Sequence, residues 1–274
     1  LIGPPGTAKS LLARRLSEVI APEGDQPAYF EYLLTKFSTP EELFGPLSLS
    51  ALKQDRFQRN TQGYLPTVQV AFLDEIFKAS SSILNSLLTI LNERKFHNGT
   101  EAMQVPLQSL VAASNELPRG QPELAALYDR FLIRRHVDYL EPEKLAELFA
   151  PQPAATVDRQ NQLTVTELAA LRQQAAAVVF PAEIQQAVRE IWREHGELFR
   201  EHAEERLSDR RFVKVVHLLR IAAASNGRKE VDLSDLVLLK DCLWSDEANA
   251  PRVHELVMTE VKKYDRHVDP QSAP

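Results

Sequence analysis

The feature that most constrains this chain is the string GPPGTAKS at residues 3–10. It fits the pattern G-x-x-x-x-G-K-[ST] except at Ala8, which replaces the second glycine. A helix-forming segment, residues 11–20, follows at once. Because such loops curl backbone N–H groups around phosphate oxygens at a helix N-terminus, the string predicts a phosphate-binding loop. A Gly-Pro turn before an amphipathic helix is the alternative.

Several side chains and backbone amides of the loop have predicted roles in binding phosphate. Gly6 allows the backbone to approach a ligand closely, and Lys9 brings a point charge to the β- and γ-phosphates. The Ser10 hydroxyl is a candidate ligand for Mg²⁺. The backbone amides from Ala8 to Leu11 are expected to face the phosphates. Ala8 costs little in place of glycine if its backbone is right-handed.

Residues 1–149 alternate strand-like and helix-like segments, which is typical of an α/β domain. Strands are predicted at 29–34, 69–73, 109–114 and 132–139, helices from Thr39 and over 82–94 and 122–131, and a hairpin at 96–105. A phosphate-binding loop normally follows a strand, yet the chain begins at Leu1 without a methionine. We therefore expect a truncated first strand and a fragment that is poorly stable alone.

The second half of the chain is predicted to be helical. Residues 150–162 have the composition of a linker, 163–264 form an all-α lid domain, and 265–274 form a flexible tail. The helical runs are predicted at 164–179, 181–206, 209–225 and 233–244. His195, His202 and the charged residues 204–206 are expected to lie on helix surfaces.

An apolar strand at residues 70–73 ends in two adjacent acids, Asp74 and Glu75. Ligands bind at the carboxyl ends of strands in parallel α/β sheets. Asp74 is a candidate for the Mg²⁺ shell, and Glu75 is a candidate to orient and polarise an attacking water. A strand end followed by a helix N-terminus is the alternative, since acids are favoured there too.

Three further side chains are candidates for contacts with phosphate. Asn115 ends the next predicted strand, where it hydrogen-bonds a water or the γ-phosphate, or merely forms a turn. Arg130 closes a helix, as an arginine finger for a neighbouring subunit or as a partner of the helix dipole. Arg210 opens a helix in the second domain and reaches for the γ-phosphate, or belongs to a capping motif with solvated arginines.

Composition excludes several classes of protein. The net charge is −6, and no basic stripe studded with aromatic residues is present, so nucleic acid is an unlikely partner. Cys242 is the single cysteine, which excludes an intramolecular disulfide framework and a cysteine zinc site. The longest apolar run is far too short to span a membrane, and the seven histidines lack a metal-binding spacing. We expect a cytoplasmic protein.

Together these motifs resemble the AAA+ ATPases, and within them the MoxR family and its RavA-like branch. The resemblance covers nearly the whole chain, and its strings are residues 3–10, 37–48, 72–76, 112–118, 127–130, 208–211 and 238–244. It implies an αβα nucleotide-binding core with a parallel sheet, followed by a helical lid. The family often has alanine at the place of Ala8.

The resemblance also implies roles for individual residues. The loop from Gly3 to Ser10, which includes Thr7, corresponds to Walker A, Asp74 and Glu75 to Walker B, and Asn115 to sensor 1. Arg130 corresponds to the arginine finger, and Arg210 to sensor 2, with Arg211 as the other choice. Residues 47–64 correspond to the helix-2 insert and 96–105 to the hairpin before sensor 1.

The resemblance further implies a hexameric homo-oligomeric ring that hydrolyses ATP with Mg²⁺ and remodels protein clients beside a von Willebrand factor A-domain partner. Two alternatives stay open: a nucleotide-gated scaffold without useful turnover, and a DNA-translocating relative. Retention of Glu75 and Arg130 favours the hydrolysing motor over the scaffold, and the acidic balance weighs against DNA translocation.

Overall fold

A computed structural model describes residues 1–22, 28–118, 122–149 and 157–265. Contacts divide the chain into two units. The first unit consists of the described residues of Leu1–Arg130 and His136–Val165, and the second of Phe131–Arg135 and the described residues from Thr166 onward. Among the described residues, every helix is too short or too polar to cross a bilayer.

The first unit alternates helices and strands as the sequence predicts. Its elements are α1 (Lys9–Ser17), β1 (Tyr29–Leu33), α2 (Pro40–Phe44), α3 (Leu49–Leu52), β2 (Val70–Asp74), α4 (Ser81–Glu93), β3 (Lys95–Asn98), β4 (Glu101–Gln104), β5 (Ser109–Ala112) and α5 (Pro122–Tyr128). Short 3-10 helices occupy Leu65–Thr67, Ile76–Lys78, Pro142–Phe149 and Arg159–Asn161. The helix α2 starts where predicted, after Thr39, with a capping box from Thr39 to Glu42 and Pro40 in the first turn.

The sheet of the first unit is parallel, in the order β1-β2-β5. Ile2 continues it through parallel bridges to Ser114 and His136. The central strand β2 is buried from Val70 to Leu73, where apolar side chains stabilise the unit by leaving water. Because all three strands run in one direction, the residues after β2 and β5 lie at the same edge of the sheet.

A two-stranded hairpin, β3-β4, lies against the segment 47–64. The Asn98 side chain accepts a hydrogen bond from the Arg59 backbone N–H at 2.6 Å and donates one to the Arg59 carbonyl at 3.1 Å. The side chain therefore pairs with the segment as a neighbouring strand would.

The second unit is helical. Its elements are α6 (Val165–Ala177, of which Val165 belongs to the first unit), α7 (Ala182–Leu198), α8 (Asp209–Ser225), α9 (Leu233–Leu236) and α10 (Ala250–Asp265), with 3-10 helices at Ala203–Glu205, Val237–Asp241 and Glu247–Asn249. The helix α10, which the sequence analysis did not single out, packs on α7 and on Val237–Asp241. The predicted fold class, an α/β unit with a parallel sheet followed by an all-α unit, is confirmed.

Two local predictions are wrong. Residues 132–139 form no strand, and their one bridge pairs His136 with Ile2. The helical run predicted over 181–206 ends at Leu198, and a separate 3-10 helix follows. Most of the predicted linker (150–156) and of the tail (266–274) lies outside the described residues.

Candidate nucleotide site

The loop at residues 3–10 connects Ile2 to α1. A Cβ on Gly3 would lie 1.9 Å from the Val137 carbonyl oxygen, so only glycine fits there. Gly6 has φ +80° and open space where a Cβ would point. Ala8, the residue before α1, has φ 57° and ψ 25°. The premise of a right-handed backbone at Ala8 is therefore wrong, and this conformation costs an alanine about 1–2 kcal/mol.

Lys9 is buried under the loop, with 7% of its surface exposed. Its ammonium group donates to the carbonyls of Gly3 (2.9 Å) and Pro4 (2.7 Å). It also lies 3.3 Å from the hydroxyl of Thr7, which itself donates to the Pro4 carbonyl at 3.0 Å. The lysine charge is thus held inside the loop, on the same groups that shape it.

Asp74 is the last residue of the strand β2, and Glu75 follows it directly. The Glu75 backbone N–H donates to Asp74 Oδ1 at 2.9 Å, and Glu75 itself has a left-handed backbone (φ 53°). The next N–H, of Ile76, donates to the Ala113 carbonyl at 3.1 Å. This turn ends the strand sharply and holds the Glu75 side chain near the end of β5, with 9% of the residue exposed.

Asn115 contacts both the acidic group of the site, Glu75, and its basic group, Lys9. Its Nδ2 donates to Glu75 Oε1 at 2.6 Å, and its Oδ1 lies 3.5 Å from Lys9 Nζ. Lys78 adds a salt bridge to Glu75 Oε2 at 3.3 Å. We call Lys9, Glu75, Lys78 and Asn115 the core cluster. Its members come from three separate stretches of the chain.

The sequence analysis missed Lys78. Its spacing, three residues after Glu75 on a short helical turn, is the signal that could have found it, because residues i and i+3 share a helix face.

The remaining site residues lie as follows. Ser10 stands in the first turn of α1 and is half-buried, and Leu11 is exposed. Among the residues that the structure describes, no three His, Cys, Asp or Glu side chains converge on a metal position. Ser10 and Asp74 offer one hydroxyl and one carboxylate, a donor set suited to a hard cation that keeps waters and phosphate oxygens as its other ligands.

Arg130 lies just beyond α5. Its Nε donates to Asn92 Oδ1 at 3.2 Å, and its guanidinium also contacts the Ala126 carbonyl, near the C-terminal end of α5. The second of these contacts is the helix-dipole arrangement that the sequence analysis named as the alternative to a finger.

Arg210 and Arg211 belong to the second unit and differ in exposure. Arg210 is exposed, whereas Arg211 is 3% exposed and donates to the Ser245 hydroxyl at 3.4 Å. Ser208 caps α8 by accepting from the Arg211 N–H, as the capping alternative predicts.

A second group of buried charges, missed by the sequence analysis, surrounds residues 241–246. Glu205, fully buried, accepts from the N–H groups of Ser245 and Asp246 at 2.7 Å each, and from Asn249 Nδ2 at 2.9 Å. His195 Nε2 lies 2.7 Å from the Leu243 carbonyl. We call the buried side chains of Arg134, His195, Glu205 and Arg211 the second-unit cluster.

The predicted surface positions of His195 and Glu205 are therefore wrong, while His202 is exposed as expected. Burial lowers the pKa of His195, with a contribution from the Arg211 charge, against the Leu243 hydrogen bond and the Glu205 charge, which raise it. Burial raises the pKa of the Cys242 thiol to about 12, so this cysteine is an inert part of the core.

Fold and site together define an AAA+ protein: a loop with Gly3, Gly6 and Lys9 that leads into the first helix of a parallel α/β unit, acids at the end of a central strand, and a helical unit after it. Residues 1–175 match the family model described as the MoxR domain in the MoxR-vWA-beta-propeller ternary systems, and residues 183–257 match the AAA lid domain. The chain belongs to the MoxR family of AAA+ ATPases.

Similar proteins occur in an archaeon and a virus. The uncharacterized proteins MJ0079 and MJ0812 of Methanocaldococcus jannaschii are 40% and 41% identical to the chain, and each alignment covers 97% of this chain and 67% of the relative. The structural protein ORF618 of Acidianus two-tailed virus is 34% identical over 135 residues, which is 49% of this chain and 22% of that protein.

A solved structure from Cytophaga hutchinsonii, described as a candidate ATPase, superposes with a TM-score of 0.66 at 18% identity. The superposition covers 96% of this chain and 83% of that one. At this identity the likeness shows the shared fold.

Proposed function

We propose that the chain hydrolyses ATP with Mg²⁺ at the core cluster. The observation that carries the proposal is the contact between the Asn115 amide and the Glu75 carboxylate at 2.6 Å, with Lys9 3.5 Å from the same amide. A carboxylate, an amide and the loop lysine are the groups that orient water and neutralise charge in phosphoryl transfer.

The loop fits the phosphates of a nucleotide. Gly6 and Ala8 both have positive φ, and one residue separates them. Backbone conformations that alternate in this way turn successive N–H groups toward the same side. The space beside Gly6 is open, and Lys9 has two loop carbonyls, those of Gly3 and Pro4, to exchange for phosphate oxygens. Gly3, Gly6, Thr7, Ala8, Lys9, Ser10 and Leu11 form the proposed phosphate-binding set.

Ser10 and Asp74 are the proposed ligands for Mg²⁺. When bound, the ion neutralises charge on the phosphate oxygens. Glu75 then holds and polarises the attacking water, and Asn115 fixes the position of the Glu75 carboxylate or contacts the γ-phosphate itself. Release of Glu75 Oε2 from Lys78 frees that oxygen for the water, while Asn115 holds Oε1 in place.

Arginines complete the proposed site. We assign Arg130 to the site of a neighbouring subunit, where a guanidinium stabilises the charge that develops in the transition state. Between the two candidate lid sensors, the difference in exposure supports Arg210, because Arg211 is committed to the buried surroundings of Ser245.

At the level of the whole protein, we propose a RavA-like hexameric ring that remodels protein clients. The matched family model names a von Willebrand factor A partner and a β-propeller, which supports a partner of the first kind. The dependence on ATP favours the cytoplasm as its compartment. Within this chain, the proposed parts are the core (1–149), the linker (150–162), the lid (163–264) and the tail (265–274). By their contacts, Phe131–Arg135 group with the second unit and the other described residues up to Val165 with the first.

The deciding experiment is the ATPase rate per protomer of the full-length protein with Mg²⁺, measured against protein concentration, with particle size measured in the same samples. If Arg130 completes the site in trans, the rate rises as rings assemble, and R130A removes the rise. A constant rate from monomers contradicts the trans assignment. Nucleotide binding without turnover supports the scaffold alternative, and a salt-dependent shift of labelled DNA supports the translocating one.

A further inference from the structure

A five-residue segment, Phe131–Arg135, belongs to the second unit, although the residues on both sides of it belong to the first. It is preceded directly by Arg130 and followed directly by His136. An extended segment of this length spans at most about 17 Å. A contact that fixes the middle of the segment therefore also limits where its two ends can lie.

Arg134 holds the middle of this segment. Its backbone N–H donates to the Asp241 carbonyl at 2.7 Å, and its guanidinium donates to the Trp244 carbonyl and to the Ser245 hydroxyl. Only 2% of Arg134 is exposed. Arg135 adds an outer salt bridge to Asp241 at 3.1 Å.

The acceptors of these bonds are themselves fixed. Residues 241–246 are held from the other side by Glu205, through the N–H groups of Ser245 and Asp246, and by His195 at the Leu243 carbonyl. A buried guanidinium bonded to a turn that a buried carboxylate also holds is a stable attachment, because each charge has partners within the protein.

Both ends of the segment lead to the proposed catalytic machinery. At one end, Arg130 is the candidate finger. At the other, the Val137 N–H donates to the Ile2 carbonyl at 2.8 Å, and the Val137 carbonyl packs against Gly3. Gly3 is the first residue of the phosphate-binding loop.

We infer that Arg134 is a positioning residue, which fixes the segment to the second unit and thereby sets the place of Arg130 at one end and of the Gly3 backbone at the other. This inference rests on the proposed function, because the proposed function is what assigns Arg130 to the site of a neighbouring subunit.

The test is complementation between inactive subunits of the full-length protein. R130A subunits keep their own Glu75 but lack the finger, and E75Q subunits keep the finger but cannot hydrolyse. Mixed rings therefore recover ATPase activity at the R130A sites. If Arg134 positions the finger, the ATPase activity restored by the donor E75Q/R134M is lower than that restored by E75Q alone, by a factor of about ten or more. The reason is that a displacement of the Arg130 guanidinium by ~1 Å can lower the rate about 100-fold.

The matched control donor is E75Q/R228M. Arg228 bonds the buried Asp235 in the same unit at 2.6 and 2.7 Å, and neither residue belongs to the segment. Equal incorporation into rings is checked by native mass spectrometry, and folding by thermal unfolding. Where R134M does not fold, the donor E75Q/R134K is measured in its place, since lysine keeps the charge without the paired contacts.

Weak rescue by the Arg134 donor beside full rescue by the Arg228 donor supports the inference. Equal rescue by both donors, or equal loss in both, overturns it. No rescue by E75Q alone contradicts the trans role of Arg130, and thus the proposed function, before Arg134 is tested.

Discussion

The core cluster and the second-unit cluster use charged side chains in different ways. In the core cluster, Glu75 is bonded by two other side chains, Asn115 and Lys78, and Asn115 is exposed. In the second-unit cluster, Glu205 and Arg134 are buried and bond mainly to backbone groups of residues 241–246.

This difference has a physical consequence. The contact of Glu75 with Lys78 can be exchanged for a ligand by a change of rotamer. Glu205, in contrast, is separated from the N–H groups of Ser245 and Asp246 only when the fold opens locally. The core cluster is therefore suited to chemistry and the second-unit cluster to holding structure. The same substitution, glutamate to glutamine, tests the role of each cluster.

The largest expected effect is on turnover, in E75Q. Gln keeps the shape and the contact with Asn115 but cannot activate water, so we expect the ATPase rate to fall about 10²–10⁴-fold while ATP binding is kept. Steady-state turnover and nucleotide titration of the full-length protein measure this. The control E116Q changes an exposed carboxyl nearby and should keep the wild-type rate. Wild-type turnover in E75Q would remove Glu75 from the mechanism.

The next effect is on stability, in E205Q. Gln has a single acceptor oxygen, so its amide must face a backbone N–H that now bonds to the carboxylate. We expect a loss of about 3 kcal/mol in the free energy of unfolding, measured by denaturant titration. The neighbouring E204Q changes an exposed carboxylate and should stay within about 0.5 kcal/mol of wild type. Equal values for the two variants would contradict the structural role of Glu205.

The smallest effect is on pH dependence, through His195. Its pKa is lowered in the folded state, so below pH 6.5 the unfolded chain binds a proton that the folded chain does not. Stability therefore falls as pH falls from 6.5 towards the folded pKa, by up to about 1.4 kcal/mol per pH unit. Comparing unfolding of wild type and H195Q between pH 7.5 and 5.5 isolates this contribution. Parallel curves would show that His195 is not held neutral.

Local sequence patterns predicted much of the first unit. The loop string, the helix start at Thr39 and the strand ending at Asp74 each depend on neighbours within a few residues, and all are present. The chemistry expected of Lys9, Glu75 and Asn115 follows from their residue types and from the parallel sheet that brings strand ends together.

Patterns failed where burial depended on distant partners. Residues 132–139 are apolar enough for a strand, but Arg134 bonds to residues more than 100 positions away, in the second unit. Glu205 resembles helix surface because its partners at 245, 246 and 249 are not visible in its own segment. Ala8 has a left-handed backbone that its residue type disfavours.

The sequence by itself determined the glycine-containing loop before α1, the acids at the strand end and the order of an α/β unit before a helical one, because hydrophobic period, capping and turn chemistry are local. Only the tertiary structure decided that Asn115 joins Glu75, that Lys78 pairs with it, and that the residues after Arg130 belong to the second unit. The reason is that a polar side chain is buried only where the fold supplies its hydrogen-bond partners, and those partners lie far along the chain.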